Sequence, residues 1–373
     1  IMADLRSLRD SISGVNIEAP NNYTGVSGTA SKTITYHEWY DTDYPVNLRF
    51  TGSGDFTTNK SDYVLDIAYC KENASGTVYS NDPVSKTLAE ADAAGLTTTL
   101  NVSKSNGGST ATITVSGAGI SDNSEKYSST VSTKTFVLHS WINVSDTVVY
   151  AGSGNDLTNS EDDYTVELKF YKEENSSSSI GTLYNTVNAK ISEVENYGLT
   201  KAFSTNTEGC YEVDVSVSGV NIGSTTSYSS SVTEKSYALH EWIKLGSNSS
   251  LDLTAYDGNS YNNCTVSDVS KIVETTSAGD TRVLSSGNAM TVSAIRNNYA
   301  NAEVSRSVGI DNGQYQITTT LTVSGMNLMS SSCINTVQTK VLTVKNYAVY
   351  AETANTLGSG VKYSGVVKWE SDE

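Results

Sequence analysis

The amino-acid sequence predicts an all-β protein of tandem antiparallel β-sandwiches with a short helix at its N-terminus. Three observations carry that prediction. One stretch recurs at the interval of a whole small domain: SKTITYHEWY at 31–40, TKTFVLHSWI at 133–142, EKSYALHEWI at 234–243 and, degraded, TKVLTVKNYA at 339–348. Elsewhere apolar residues alternate with polar ones at the period of two that marks half-buried strands. The composition agrees, with abundant Ser, Thr and Asn, 23 Tyr against five Phe, and 28 Gly against three Pro in 373 residues. That is the material of strands joined by polar turns. His37, His139 and His240 are the only histidines, and Trp39, Trp141 and Trp242 follow each by two positions. The spacings are 102, 101 and, to the corresponding Lys345, 105 residues.

In chain order, Met2, Leu5, Leu8 and Ile12 are spaced for one helical face and predict a short amphipathic helix over 3–10. Such a helix is too short to stand alone and must dock. Next comes SGVNI at 13–17, which returns as SGAGI at 116–120, SGVNI at 218–222 and SGMNL at 324–328. A period-two strand precedes the last three. In YEVDVSVSG, Tyr211, Val213, Val215 and Val217 share one face, and in YQITTTLTVSG the set is Tyr315, Ile317, Thr319, Leu321 and Val323. Gly14, Gly117, Gly219 and Gly325 then mark a bulge or a crossing where no side chain fits.

A polar loop leads into the His-x-Trp strand, and a Gly/Asp turn leads out of it to a third strand. There Tyr63, Leu65, Ile67 and Tyr69 alternate with polar residues, as do Tyr164, Val166, Leu168 and Phe170. The last copy has Tyr363, Gly365, Val367 and Trp369 in register, and the third is irregular, with Cys264 at the Tyr position. TLAEADAAGL (87–96) and AKISEVENYGL (189–199) predict short helical connections. Several strands and one such connection in ~100 residues point to an immunoglobulin-like sandwich, with a barrel as the alternative.

Counted from the SG motif, the chain divides into a helix or arm (1–10), repeats at 11–115, 116–217 and 218–323, and an incomplete fourth at 324–373. The fourth stops after its third-landmark strand, so it needs cover from the third unit or a strand from another chain. The residues expected to serve assembly are Leu5 and Leu8 at one end and Tyr347, Tyr363 and Trp369 at the other.

Composition and motifs narrow the function. A formal charge of −17 argues against nucleic acid and against an anionic membrane surface. No stretch reaches the ~18 apolar residues of a membrane helix, and the first residues lack the apolar core of a signal peptide. With Met2 as the start, the protein is expected to be made in the cytoplasm and to leave by assembly or lysis. Cys70, Cys210, Cys264 and Cys333 sit at non-equivalent places without zinc-ligand spacing, so free thiols are expected, with Cys264–Cys333 the one pairing open within a repeat.

Each histidine is alone in its unit, which makes a shared packing or hydrogen-bonding duty the better reading than catalysis or metal binding. The tryptophans are expected in the core, and a sugar-stacking platform is the alternative. Tyr36, Tyr40 and Tyr44, beside Asp41 and Asp43, are the richest candidates for glycan contact. Asn155, Asp156, Glu161, Asp162 and Asp163 offer oxygen ligands for calcium but match neither the EF-hand nor the nonapeptide pattern. No catalytic motif appears in its required context, so no cofactor and no enzymatic activity are expected.

Repeat length, strand pattern and composition over 11–373 resemble the tandem immunoglobulin-like repeat proteins that decorate phage capsids and tails, and also bacterial surface adhesins and pilins. The resemblance implies a structural protein of the virion or another extracellular surface, in contact with copies of itself or other assembly proteins. A glycan-binding adhesin and a secreted filament joined by strand donation are the alternatives it carries.

Overall fold

The four copies of the recurring stretch are four long strands, and each changes partner in its middle. The computed structural model describes residues 7–14, 30–41, 47–73, 75–76, 78–118, 120, 127–153, 156–207, 209–351 and 366–372. The first sheet holds β1 (Ser7–Gly14), β2 (Ala30–Asp41), β3 (Asn47–Phe50), β4 (Tyr63–Glu72) and β5 (Val78–Thr87). The second holds β6 (Thr97–Ser105), β7 (Gly108–Ala118), β8 (Val131–Tyr150), β9 (Tyr164–Glu173) and β10 (Gly181–Lys190). In the third are β11 (Thr200–Asn206), β12 (Tyr211–Val220), β13 (Val232–Leu245), β14 (Leu251–Asp252), β15 (Thr265–Glu274) and β16 (Thr281–Thr291). The fourth runs β17 (Asn301–Asp311), β18 (Gln314–Met326), β19 (Val337–Ala351) and β20 (Val366–Asp372). Every pairing is antiparallel.

β8 pairs with β7 up to Ser140 and with β9 from Ser140 onward. β13 makes the same exchange at Glu241, passing from β12 to β15. β2 and β19 do so beside His37 and Lys345. The strand therefore leaves one sandwich and enters the next without a linker. Among the described residues, three large hydrophobic cores follow from this, with smaller clusters around Trp39 and Trp242. Leu48, Leu65, Ile113, Val115, Phe136 and Leu138 belong to the first. Ile142, Val144, Val166, Val213, Tyr237 and Leu239 belong to the second, and Ile243, Leu245, Val266, Leu321, Val323 and Leu342 to the third. In each, the trailing half of one long strand with its neighbours faces the leading half of the next.

Limits counted from the SG motif, at 115/116, 217/218 and 323/324, cross β7, β12 and β18. The strands change partner about a quarter of a period beyond that landmark. The SG glycines of β12 and β18 mark close crossings: a Cβ on Gly219 would lie 2.4 Å from Leu199 Cδ2 and 2.9 Å from the Asn106 carbonyl oxygen, and one on Gly325 2.7 Å from the Ala300 Cβ.

The predicted N-terminal helix over 3–10 is not formed where the structure is described: residues 7–14 are β1, with Leu8 opposite Tyr36. Leu8 and Ile12 are four apart, a separation that fits one face of a helix and one face of a strand equally well. Aligning Ser13-Gly14 with Ser218-Gly219 puts Leu8 and Ile12 at the positions of Val213 and Val217, so β1 is the first copy of the strand preceding SG. Leu5 lies outside the described residues.

The two predicted helical connections are present. α1 (Leu88–Ala93) starts at a capping box, in which the Glu90 N–H donates to Thr87 Oγ1 at 3.1 Å and the Thr87 N–H donates to the Glu90 carboxylate at 2.8 Å. A 3-10 turn covers Ile191–Tyr197. The third unit uses α2 (Val292–Asn298). Its irregular third-landmark strand has one extra residue: Tyr63–Glu72 and Tyr164–Glu173 are nine apart, Cys264–Glu274 ten. The surplus is taken up where the β15–β16 register shifts between Val266 and Val269, and Asp268 there has φ +53°. No helix among the described residues is long and apolar enough to cross a membrane.

Candidate functional site

The points at which β2, β8 and β13 change partner carry the His-x-Trp motif, and in β8 and β13 the strand there is buried on both faces. Leu239, His240, Glu241, Trp242 and Ile243 are all buried, as are Ser140 to Val144. A strand squeezed between two sandwiches cannot leave polar groups unpaired, and the motif supplies the pairing. His37 Nδ1 bonds the Glu72 carboxylate, His139 Nδ1 lies 2.9 Å from Glu173 Oε2, and His240 Nδ1 lies 2.7 Å from Glu274 Oε2. The same carboxylates accept backbone N–H bonds from His139 at 2.8 Å and His240 at 2.9 Å.

These glutamates end β4, β9 and β15. They lie 35, 34 and 34 residues beyond their histidines, a second regular spacing that could have revealed them. The neighbouring Glu38 and Glu241 have other partners. Glu38 accepts from the Tyr69 hydroxyl. Glu241 pairs with Lys271 at 2.8 Å and accepts the Leu157 N–H at 2.7 Å.

A loop of the following unit closes each joint. Tyr127 stacks on His37 with ring centroids 4.0 Å apart, and Tyr228 on His139 at 3.9 Å. The tryptophans beneath are 1% exposed (Trp39 and Trp141) or fully buried (Trp242). Trp141 Nε1 donates to the Ser224 carbonyl oxygen at 2.9 Å, and Trp242 Nε1 to that of Ser330 at 3.0 Å. These indoles are packed core groups of the joint, leaving no open stacking face.

Edge pairing adds to the strand continuity. The turn after β9 reaches the first unit, with Phe50 N–H donating to the Glu174 carbonyl at 3.0 Å and Ser176 N–H to that of Leu48 at 2.9 Å. The turn after β15 repeats this on the second: Tyr150 N–H to Thr275 at 2.8 Å and Ser277 N–H to Val148 at 2.9 Å. Lys172 Nζ, 5% exposed as a residue, donates to the carbonyls of Gly52 and Gly54 at 2.6 and 2.9 Å, and burial lowers its pKa. Asp55 accepts from Lys104, Ser109, Ser140 and the Phe56 N–H at 2.8–2.9 Å. Between the first two sandwiches lies a cavity of about 660 Å³ whose lining includes Asp55, Trp141, Phe170, Tyr184, Asn185 and Tyr197.

The third joint has Cys333 where the others have tyrosine. His240, Glu274 and Cys333 each place one possible ligand atom within 4.8 Å of the others. Burial lowers the His240 pKa, but the Cys333 sulfur and the Glu274 carboxylate outweigh it and hold the imidazole at about 10. All four cysteines are free; Cys264 packs in the third core and Cys333 beside Trp242.

The other sequence-selected residues scatter. Tyr36 and Tyr40 are half-buried on β2, and Tyr40 packs on Tyr69 at 5.3 Å under the Lys86 ammonium. Tyr44 and Tyr363 lie outside the described residues. Leu8 is on β1, and Trp369 is on β20 opposite Ala348. Tyr347 is half-buried on β19, its hydroxyl accepting from Gln316 Nε2 at 2.8 Å and donating to Asp311 at 3.2 Å. The calcium candidates do not converge. Asp156 pairs with Lys271, Glu161 with Lys201 and Asp162 with Ser192, while Asp163 accepts from Thr158; Asn155 is outside the described residues. No protein-family model, no curated protein and no solved structure matches the chain.

Proposed function

We propose that the chain is a non-enzymatic structural protein, a stiff row of immunoglobulin-like sandwiches serving an extracellular assembly. A phage fibre, tail or capsid decoration is the first choice. The observation that carries this reading is the long strand shared by consecutive sandwiches, which replaces a linker with continuous hydrogen-bonded sheet. Flexible domain chains put Gly, Ser or Pro between units; here the crossing is the most buried part of the strand. The acidic surface keeps such units soluble and apart.

The end hairpins support assembly through the ends. β1 with the leading half of β2 is the type of sheet that β20 with the trailing half of β19 would face in a complete sandwich. A further repeat or a neighbouring copy can therefore complete either. Val308, Ile310 and Tyr315, on the β17–β18 hairpin that holds Tyr347, are 69, 70 and 64% exposed and offer apolar surface for it.

Inserting Gly-Gly between Trp141 and Ile142 tests the stiffness. Small-angle scattering should show an extended wild type with a narrow spread of lengths and a variant with a broad one. A wild type as flexible as the variant would refute the reading. Glycan binding is the second reading, favoured by the aromatic and polar lining of the 660 Å³ cavity. A glycan array separates the two.

A further inference from the structure

The third joint departs from the other two at one position, and that position supplies a sulfur. Tyr127 and Tyr228 stand twelve residues before the next motif histidine, and Cys333 stands twelve before Lys345. A thiol cannot cover an imidazole as a phenol does. A cavity of about 320 Å³ is lined here by His240, Glu274, Cys333, Asp146 and Asn335.

The groups facing the ring are a ligand set. Glu274 takes Nδ1 at 2.7 Å, the arrangement by which a carboxylate orients a metal-bound imidazole. Nε2 is buried and has no hydrogen-bond partner among the described residues, on a side chain 8% exposed. Its closest acid is Glu212 on β12, with Oε1 3.6 Å away, too far for a hydrogen bond. The Cys333 sulfur is itself held, donating to Asn335 Oδ1 at 2.9 Å and accepting from Asn327 Nδ2 at 3.4 Å. The first two joints have the same His–Glu pair, with a tyrosine ring stacked on the imidazole where the third has Cys333.

We propose that His240 Nε2 and the Cys333 sulfur, with the Glu274 carboxylate orienting the ring and Glu212 in reach as an oxygen ligand, form a binding site for a thiophilic divalent cation, zinc above all. Imidazole, thiolate and carboxylate are the donors zinc takes, whereas calcium and magnesium ask for oxygen alone. On binding, the Cys333 thiol and the His240 imidazolium each give a proton to solvent, and the sulfur and Nε2 bond the metal. The Asn327 amide remains to stabilise the thiolate. The metal would tie β13, β15 and the loop before β19 together where the stacking tyrosine is lost.

Cobalt(II) titration of the metal-free full chain under reducing conditions tests the site. One equivalent should produce thiolate-to-metal charge-transfer absorption with the ligand-field bands of a four-coordinate ion, both displaced by zinc. Cys333→Tyr, which restores the residue of the other joints, should fold and lose the charge-transfer band, with affinity weaker by about 100-fold or more. Cys333→Ser gives the same readout should tyrosine disturb the loop. A wild type without the band, or a band that survives both substitutions, overturns the proposal.

Discussion

Asp55 shows how much of a joint can rest on one side chain. Four donors from three segments converge on it, and none has a second carboxylate in its place. Burial pushes its pKa up, but the bonds from Lys104, Ser140, Phe56 and Ser109 outweigh this and hold it below the ordinary aspartate value. The sign of the linkage follows. A folded pKa below the unfolded one stabilises fully above about 3.9, and the contribution is lost as pH falls through the folded value. Asp55→Ala should therefore cost about 1–3 kcal/mol in urea unfolding near neutrality. The gap to wild type should narrow below about pH 4, and Asp55→Asn should lie between. Nothing in the sequence singles out Asp55, because its side-chain partners come from 49 to 85 residues away.

Single strands explain what alternation can and cannot convey. Phe136, Leu138, Ile142 and Val144 keep one parity along β8, so the sequence reads as a single uninterrupted strand. The change of core between Leu138 and Ile142 leaves no mark in the pattern. Likewise Leu8 and Ile12 cannot tell helix from strand without the pairing partner. Glycine was more legible, since two of its recurring SG copies, Gly219 and Gly325, stand at close crossings. Gly219, at the end of β12, should accordingly not tolerate a side chain. Gly219→Val should cost about 1–3 kcal/mol by forcing Leu199 and the Asn106 carbonyl away. Gly223, with nothing within 4 Å of its would-be Cβ, should accept the same change within about 0.5 kcal/mol. Thermal unfolding of the two variants compares them directly; equal losses would show that the crossing can relax.

At the scale of the whole chain, the repeat makes equivalent strands readable, whereas the points where those strands change partner are set by packing. A motif recurring every hundred residues marks equivalent points in a periodic structure, and only the distribution of core residues says where one body ends. The same holds for the third joint, where Cys333 stands out only after Tyr127 and Tyr228 are seen to cover histidines. Periodicity makes a strong demand in return: removing one full period between equivalent points should leave every contact type intact. Deleting 140–240 joins His139 to Glu241 and keeps the strand's alternation and its change of partner. Glu274 would then meet His139 in place of Glu173. Lys271, which bridges Glu241 and Asp156, would find Asp55 at the position of Asp156. The shortened chain should fold with the same β-sheet signature per residue by circular dichroism. Calorimetry should find its melting temperature lower by only a few degrees, because one interface is removed while those remaining are of the same kind. A deletion from 151 to 253, which the pairings of Tyr150 with Tyr164 and of Asp252 with Thr265 place between equivalent points, should behave alike. Deletion of half a period, 140–190, should not fold, because it would set the trailing half of one strand against the wrong sheet.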